Sequence, residues 1–251
     1  MAAYDSLTTR MPNGVTNAAP WQTMGAAGTQ DPTWSHMYAN DFNTYAATEW
    51  TITTVGTGTV ALTDYNGGAI LLTNTTGAAD ALYLQLTNAG FKFTPGKASF
   101  FKFAGQLSAV SADVFYCGLV QKGATTVASI TDGIYITKAT GAATLSLVSK
   151  IGNVATTVAF PAAEVLAAAT YFEVGFMVDS LGNVAAFFNP TTGSNPISAS
   201  AAASGQARGR VATLTAPSLT TALLTPAFGL LNSTGVANTL TVDYIVAANN
   251  R

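Results

Sequence analysis

Charge is scarce in this sequence. Of its 251 residues only 9% are Asp, Glu, Lys or Arg, and 12 acids against 10 bases leave a net charge of −2. An ordinary globular chain is about one quarter charged. A basic nucleic-acid binder is excluded, because neutralising phosphates takes clustered Lys and Arg. There is one cysteine, Cys117, so an internal disulfide and a multi-thiolate metal site are excluded as well. One histidine, His36, removes most histidine-based chemistry. No run approaches the roughly 18 uninterrupted apolar residues of a membrane-spanning helix. The opening stretch, Met1 to Trp21, lacks the charged-then-apolar order of a secretory signal, and no membrane partner is expected. What remains is a chain with 49% hydrophobic residues, enough to bury a large core without disulfides or metals. Disorder, which needs low hydrophobicity and high charge, does not fit. The polar partners are mainly Thr, Ser, Asn and Gly, which predicts a neutral, hydroxyl-rich surface.

Residues 1–35 read differently from the rest. Pro12, Pro20 and Pro32 interrupt them, and they show neither a helical nor a strand period. They nevertheless carry Met11, Trp21, Met24 and Trp34, which a flexible linker would not. Apolar anchors without periodicity predict an extended N-terminal arm lying on another surface, either its own domain or a partner.

From Tyr38 onward short segments rich in Val, Ile, Leu and Thr alternate with turn residues. Strands are expected at 49–55, 59–63, 69–73, 81–86, 97–107, 113–121, 133–137, 144–149, 154–160, 171–179, 183–189, 227–231 and 239–246. Turns recurring every eight to twelve residues or so fit a sandwich or barrel. Alternation places Phe115, Cys117 and Leu119 on one buried side, and likewise Phe172, Val174, Phe176 and Val178. Near the end, Leu240, Val242, Tyr244 and Val246 are expected to oppose Thr241, Asp243 and Ile245. A single short helix is expected over 161–168, with Pro161 at its start and Glu164 in its first turn. Residues 191–217, poor in large apolar side chains, read as a long loop.

The order Cys117-Gly-Leu119, Asp132-Gly-Ile-Tyr135, Tyr171-Phe-Glu-Val-Gly-Phe176, Pro226-Ala-Phe-Gly-Leu230 and Val242-Asp-Tyr-Ile245 resembles a concanavalin-A-like jelly roll. More narrowly, it is similar to structural and decoration proteins of tailed-bacteriophage virions that use this sandwich. The likeness runs from Tyr38 to Arg251 and leaves the arm outside it. It implies an all-β jelly-roll sandwich domain over 36–251. It also implies a non-enzymatic virion protein, made in the host cytoplasm and bound to the capsid exterior through the major capsid protein or another virion protein. A homo-oligomer is expected, a trimer before a dimer, because icosahedral shells offer local threefold positions. The alternative is a carbohydrate-binding module of lectin type, which would display aromatics and amides on a shallow groove.

The same fold resembles laminarinase-type glycosidases, whose strand motif Glu-x-Asp-x-x-Glu is absent here. Glu173 and Asp179 share a face but sit roughly 20 Å apart along a strand. Glycosidases need about 5 Å or about 6.5–9.5 Å between carboxyl groups. Cys117, mid-strand on the apolar side, reads as a small core hydrophobe, and His36 as part of the junction between arm and domain. Asp64-Tyr-Asn66-Gly67 and Asp41-Phe-Asn43 fall short of a calcium ligand set, and the first reads as a hairpin turn. Arg208 and Arg210 form the only local basic cluster, expected to be a solvated loop. Asn74-Thr-Thr76 and Asn232-Ser-Thr234 are glycosylation sequons that matter only in a secretory pathway. No catalytic residue, metal or cofactor is expected, and Met11, Trp21, Met24 and Trp34 are the expected partner-binding residues.

Overall fold

The computed structural model describes residues 35–65, 67–111, 113–190, 210–215 and 217–250. Within them, fifteen strands follow one another: β1 (Ser35–Asn40), β2 (Trp50–Val55), β3 (Gly58–Thr63), β4 (Ala69–Asn74), β5 (Ala81–Leu86), β6 (Ser99–Leu107), β7 (Asp113–Gln121), β8 (Gly133–Lys138), β9 (Leu145–Ile151), β10 (Val154–Ala159), β11 (Thr170–Val178), β12 (Val184–Pro190), β13 (Arg210–Leu214), β14 (Leu224–Asn232) and β15 (Asn238–Asn250). One sheet runs β13-β12-β11-β6-β15-β4-β3, with β1 also paired to β15; the other runs β10-β9-β8-β7-β14-β5-β2. All pairings are antiparallel. The architecture is therefore an all-β sandwich of jelly-roll type.

The core lies between the sheets and is rich in phenylalanine. Phe101 and Phe103 on β6, Phe115 on β7, Phe172 and Phe176 on β11 and Phe228 on β14 face one another across the gap, all nearly or fully buried. Their alternation with outward residues is what the sequence predicts, and Cys117 sits among them, fully buried. Burial pushes its thiol well above the ordinary range, which makes it inert.

Four expectations need correction. The segment 161–168 is not a helix. Glu164 N–H donates to the Pro161 carbonyl in a turn, Leu166 N–H donates to Ala143, and Val165 bridges Thr144. Eight residues are too few to hold a helix when a neighbouring strand end offers partners and a buried slot for Leu166. Within the expected loop 191–217, residues 210–214 form the edge strand β13, whose Ala212 and Leu214 are buried against the core. Ser35, expected as the last residue of the arm, instead opens β1 and pairs with Asn250; His36 follows it, its ring 4.8 Å from that of Phe91. The fourth correction concerns β15, where a bulge between Val242 and Tyr244 adds one residue against β6. One extra residue exchanges the faces of everything after it. Ile245 and Ala247 therefore fill the core while Tyr244 and Val246 turn outward. Met11, Trp21, Met24, Trp34 and Arg208 lie outside the described residues.

Candidate functional site

Among the described residues the strands carry three acids, Asp113, Glu173 and Asp243, and only Glu173 stands on a regular outward position. It is on β11 opposite Ala104 of β6, which in turn faces Tyr244 of β15. Ala104 is small enough for the Tyr244 hydroxyl to reach across β6 and donate to Glu173 Oε1. Lys102, directly opposite Gly175, leans into the same space and sets Nζ 2.7 Å from Glu173 Oε1. The ammonium also lies 5.1 Å from the centre of the Tyr244 ring, within cation–π range. Asn189 Nδ2 donates to Glu173 Oε2 at 3.5 Å. Burial, with the adjacent Glu173 charge adding to it, pushes the Tyr244 hydroxyl far up its titration range. Glu173 is thus engaged by a cation, a phenol and an amide.

Beside this cluster Tyr171, the first outward residue of β11, stacks on Tyr65, ring centres 5.9 Å apart and planes 8° from parallel. Tyr65 belongs to the turn between β3 and β4, and in the sheet order β4, β15 and β6 stand between that turn and β11. The turn therefore reaches over the outer face. Its closure is the expected hairpin, with Gly68 N–H donating to the Tyr65 carbonyl at 2.9 Å and Gly67 at φ 102°. Tyr65 remains 48% exposed. The row next to Tyr171 is neutral: Gln106 pairs with it on β6 and with Thr241 on β15.

The outer face of the second sheet is organised differently. Tyr83, Tyr116 and Tyr135 on β5, β7 and β8 form a row with ring centres 5.7 and 6.5 Å apart. Gly229 and Gly118 provide the floor: a Cβ on Gly229 would come within 2.6 Å of Tyr83 and 2.7 Å of Tyr116. All three tyrosines are buried, because residues 122–132 fold back over them with Ala124, Val127 and Ile130. Gln85 fastens that strap by accepting from Gly123 N–H at 3.0 Å, and Gln121 by donating to the Ser129 carbonyl at 3.0 Å. This aromatic row is a filled secondary core.

The other sequence candidates hold structure together. Asp179 caps the β11–β12 turn, accepting from Leu181 N–H, Asn183 N–H and Asn183 Nδ2 at 2.8–2.9 Å. Burial opposes its ionisation, but these donors outweigh it and hold the carboxyl below its ordinary range. Asp41 accepts from Asn43 Nδ2 at 2.6 Å within its own turn. Asn74 and Asn232, the sequon asparagines, are fully buried and donate to the carbonyls of Asp80, Leu230 and Thr75. Among the described residues no group of three or more His, Cys, Asp or Glu is placed to hold a metal, and no helix is long and apolar enough to cross a membrane. Sequence reasoning missed Lys102, Tyr244 and Asn189, and took Tyr65 only as part of a turn. Lys102 alone carried a signal, a charge at an outward strand position.

No family model matches the chain, and no curated protein matches it by sequence. Solved structures do match it in shape. A protein of unknown function from Shewanella oneidensis MR-1 aligns at TM-score 0.57 with 13% identity, covering 100% of this chain and 95% of its own. An endo-1,3-beta-glucanase from Streptomyces sioyaensis aligns at 0.58 with 11% identity, over 89% of this chain and 99% of its own. Peanut lectin aligns at 0.55 with 8% identity, over 86% of this chain and 97% of its own. At such identities the likeness is one of fold, the concanavalin-A-like jelly roll shared by lectins and glucanases.

Proposed function

We propose that this chain is a non-catalytic carbohydrate-binding module whose contact surface is the outer face of the β11–β6–β15 sheet. The observation that carries this reading is the stacked pair Tyr65 and Tyr171, held parallel with Tyr65 half exposed beside a neutral Gln106 and Thr241 row. A sugar ring presents an apolar C–H face that packs on an aromatic ring and hydroxyls that bond to amides. Glu173 is already engaged by Lys102, Tyr244 and Asn189, which favours binding over hydrolysis. The lectin and glucanase neighbours are in keeping with this use of the fold.

A glycan array followed by calorimetry on the intact chain tests it. The wild type should bind at least one neutral oligosaccharide. Tyr65→Ala should weaken binding about tenfold or more, the equivalent of about 1.4 kcal/mol, without lowering the melting temperature. Failure of the wild type to bind any glycan rejects the function; unchanged binding by Tyr65→Ala rejects the site.

A second reading, a virion decoration protein attached to a capsid exterior, draws support from the low charge and from the anchors Met11, Trp21, Met24 and Trp34. In that reading the chain is a homo-oligomer and the arm docks on a capsid protein. Because β1 begins at Ser35, the deletion that tests it removes residues 1–34 and no more. Loss of binding to undecorated capsids with an intact sandwich is the expected result; retained binding rejects docking by the arm.

A further inference from the structure

A lysine, an aspartate and an asparagine meet inside one end of the sandwich. Lys138 pairs with the core residue Phe115 across β8 and β7, so it points inward. Asp113 lies two residues before Phe115 on β7, and Asn238 two residues before the core residue Leu240 on β15, so both point inward too. All three are 0% exposed, which removes water as their partner. The Asp113 carboxyl Oδ1 abuts the Asn238 side-chain amide. Lys138 Nζ lies 2.5 Å from the main-chain carbonyl of the same Asp113. Amine and amide thus meet at one aspartate, the amine on its main-chain carbonyl and the amide on its carboxyl. Two further atoms lack any hydrogen bond: Asp113 Oδ2 and Asn238 Oδ1.

This arrangement is costly as three separate side chains. A buried ammonium bonded only to carbonyls is not repaid for the water it has lost. Two buried acceptors without donors add to it. We propose that Lys138 and Asn238 condense spontaneously into an amide bond, with Asp113 as the acid–base group, so that β8 of one sheet is covalently joined to β15 of the other. This inference is independent of the carbohydrate reading.

The chemistry balances without an oxidant or cofactor. The neutral Lys138 amine attacks Cγ of Asn238, forming the new C–N bond. Asp113 passes its carboxyl proton to Nδ2 and takes one from the attacking nitrogen. The Cγ–Nδ2 bond then breaks and ammonia leaves. Asp113 is regenerated, and the product N–H gives its carboxyl a donor. The environment favours both protonation states. Burial lowers the Lys138 ammonium, though Asp113 opposes this, so the nucleophilic amine is more accessible. Burial raises Asp113 to about 6 against the pull of Lys138, so a proton is available to give. The gap between packed sheets is about 10 Å, within the combined reach of an extended lysine and an asparagine. The bond would remove a buried charge and staple the two layers at the end of the sandwich.

Electrospray mass spectrometry of the full chain tests this directly. The wild type should be lighter than its sequence by one ammonia, about 17 Da. Tryptic mapping should show no cleavage after Lys138 and one branched peptide joining Lys138 to Asn238. Asp113→Asn, which keeps the side-chain shape and removes the acid, should restore the full mass, as should Lys138→Met. A wild-type chain of full mass with cleavage after Lys138 overturns the proposal. A lost ammonia without a branched peptide overturns it too, since that marks a succinimide. A Lys138–Asp113 link formed with loss of water overturns the assignment to Asn238. An unchanged cross-link in Asp113→Asn overturns the role given to Asp113.

Discussion

Replacing Phe228 by alanine probes a densely aromatic part of the core. The side chain has no exposed surface, and its ring meets Trp50 at 5.3 Å, Phe103 at 5.7 Å and Phe42 at 6.2 Å. The contacts to Trp50 and Phe42 are edge-to-face, with interplanar angles of 69° and 78°. A buried Phe→Ala change costs about 3–5 kcal/mol, set by how far the surroundings collapse into the cavity. Well-oriented aromatic pairs add about 0.5–1.5 kcal/mol each beyond area burial. Large rigid rings on three sides limit collapse, so Phe228→Ala should fall at the upper end, about 5 kcal/mol. Phe176→Ala serves as the control, because Phe176 stacks on Phe101 at 5.4 Å in a nearly parallel arrangement and should lose about 3–4 kcal/mol. Guanidinium unfolding followed by circular dichroism and tryptophan fluorescence measures both, and unchanged m-values would keep the comparison on the native state. A loss below about 2 kcal/mol for Phe228→Ala, or a larger loss for Phe176→Ala, would refute the reasoning.

Three further outcomes follow from other parts of the molecule. Burial raises Asp113 from 3.8 to about 6, with the charge of an unlinked Lys138 opposing and Asn238 and Asn232 as the neutral groups facing it. The native state then binds this proton more tightly than the unfolded chain, so its contribution falls by about 3 kcal/mol as pH rises from about 4 to about 7. Asp113→Asn should flatten that part of the stability curve, and a wild-type contribution that rises over the interval would contradict it. Gly229→Ala should cost about 1–3 kcal/mol, because its Cβ meets Tyr83, Tyr116 and the Leu82 carbonyl, all closer than 3 Å; a neutral substitution in thermal unfolding would show that the tyrosine row yields. Cys117 should be unreactive toward a thiol-specific disulfide reagent in the native protein and react once on unfolding, and rapid native labelling would contradict its burial.

Much of the fold was legible in the sequence because it rests on local rules. Strands β5 and β7 begin and end where alternation and flanking turn residues place them, and the inward sets on β7 and β11 are those the period of two requires. Cys117 and the Asp64–Gly67 hairpin are equally local, one set by its alternating neighbours and the other by turn chemistry. The candidate site was much less legible. Glu173 was visible only as an isolated acid on a strand, and nothing near it in sequence announces Lys102, Asn189 or Tyr244 as its partners. Tyr244 was placed on the wrong face, since the bulge that turns it outward is a mismatch with β6, and alternation within β15 alone does not contain it.

The sequence by itself determined that this is an all-β chain, with its main strands, its apolar core positions and a neutral surface poor in charge. Those properties depend on side-chain period and composition, which each segment carries alone. Tertiary structure decided which strands neighbour one another and hence which side chains meet. It brought Tyr65 over three strands to Tyr171, closed residues 122–132 over the tyrosine row, and set Lys138 and Asp113 against Asn238 from the opposite sheet. Each of these depends on register and layer packing, in the last case between segments 125 positions apart, where only burial in the assembled sandwich selects the pairing.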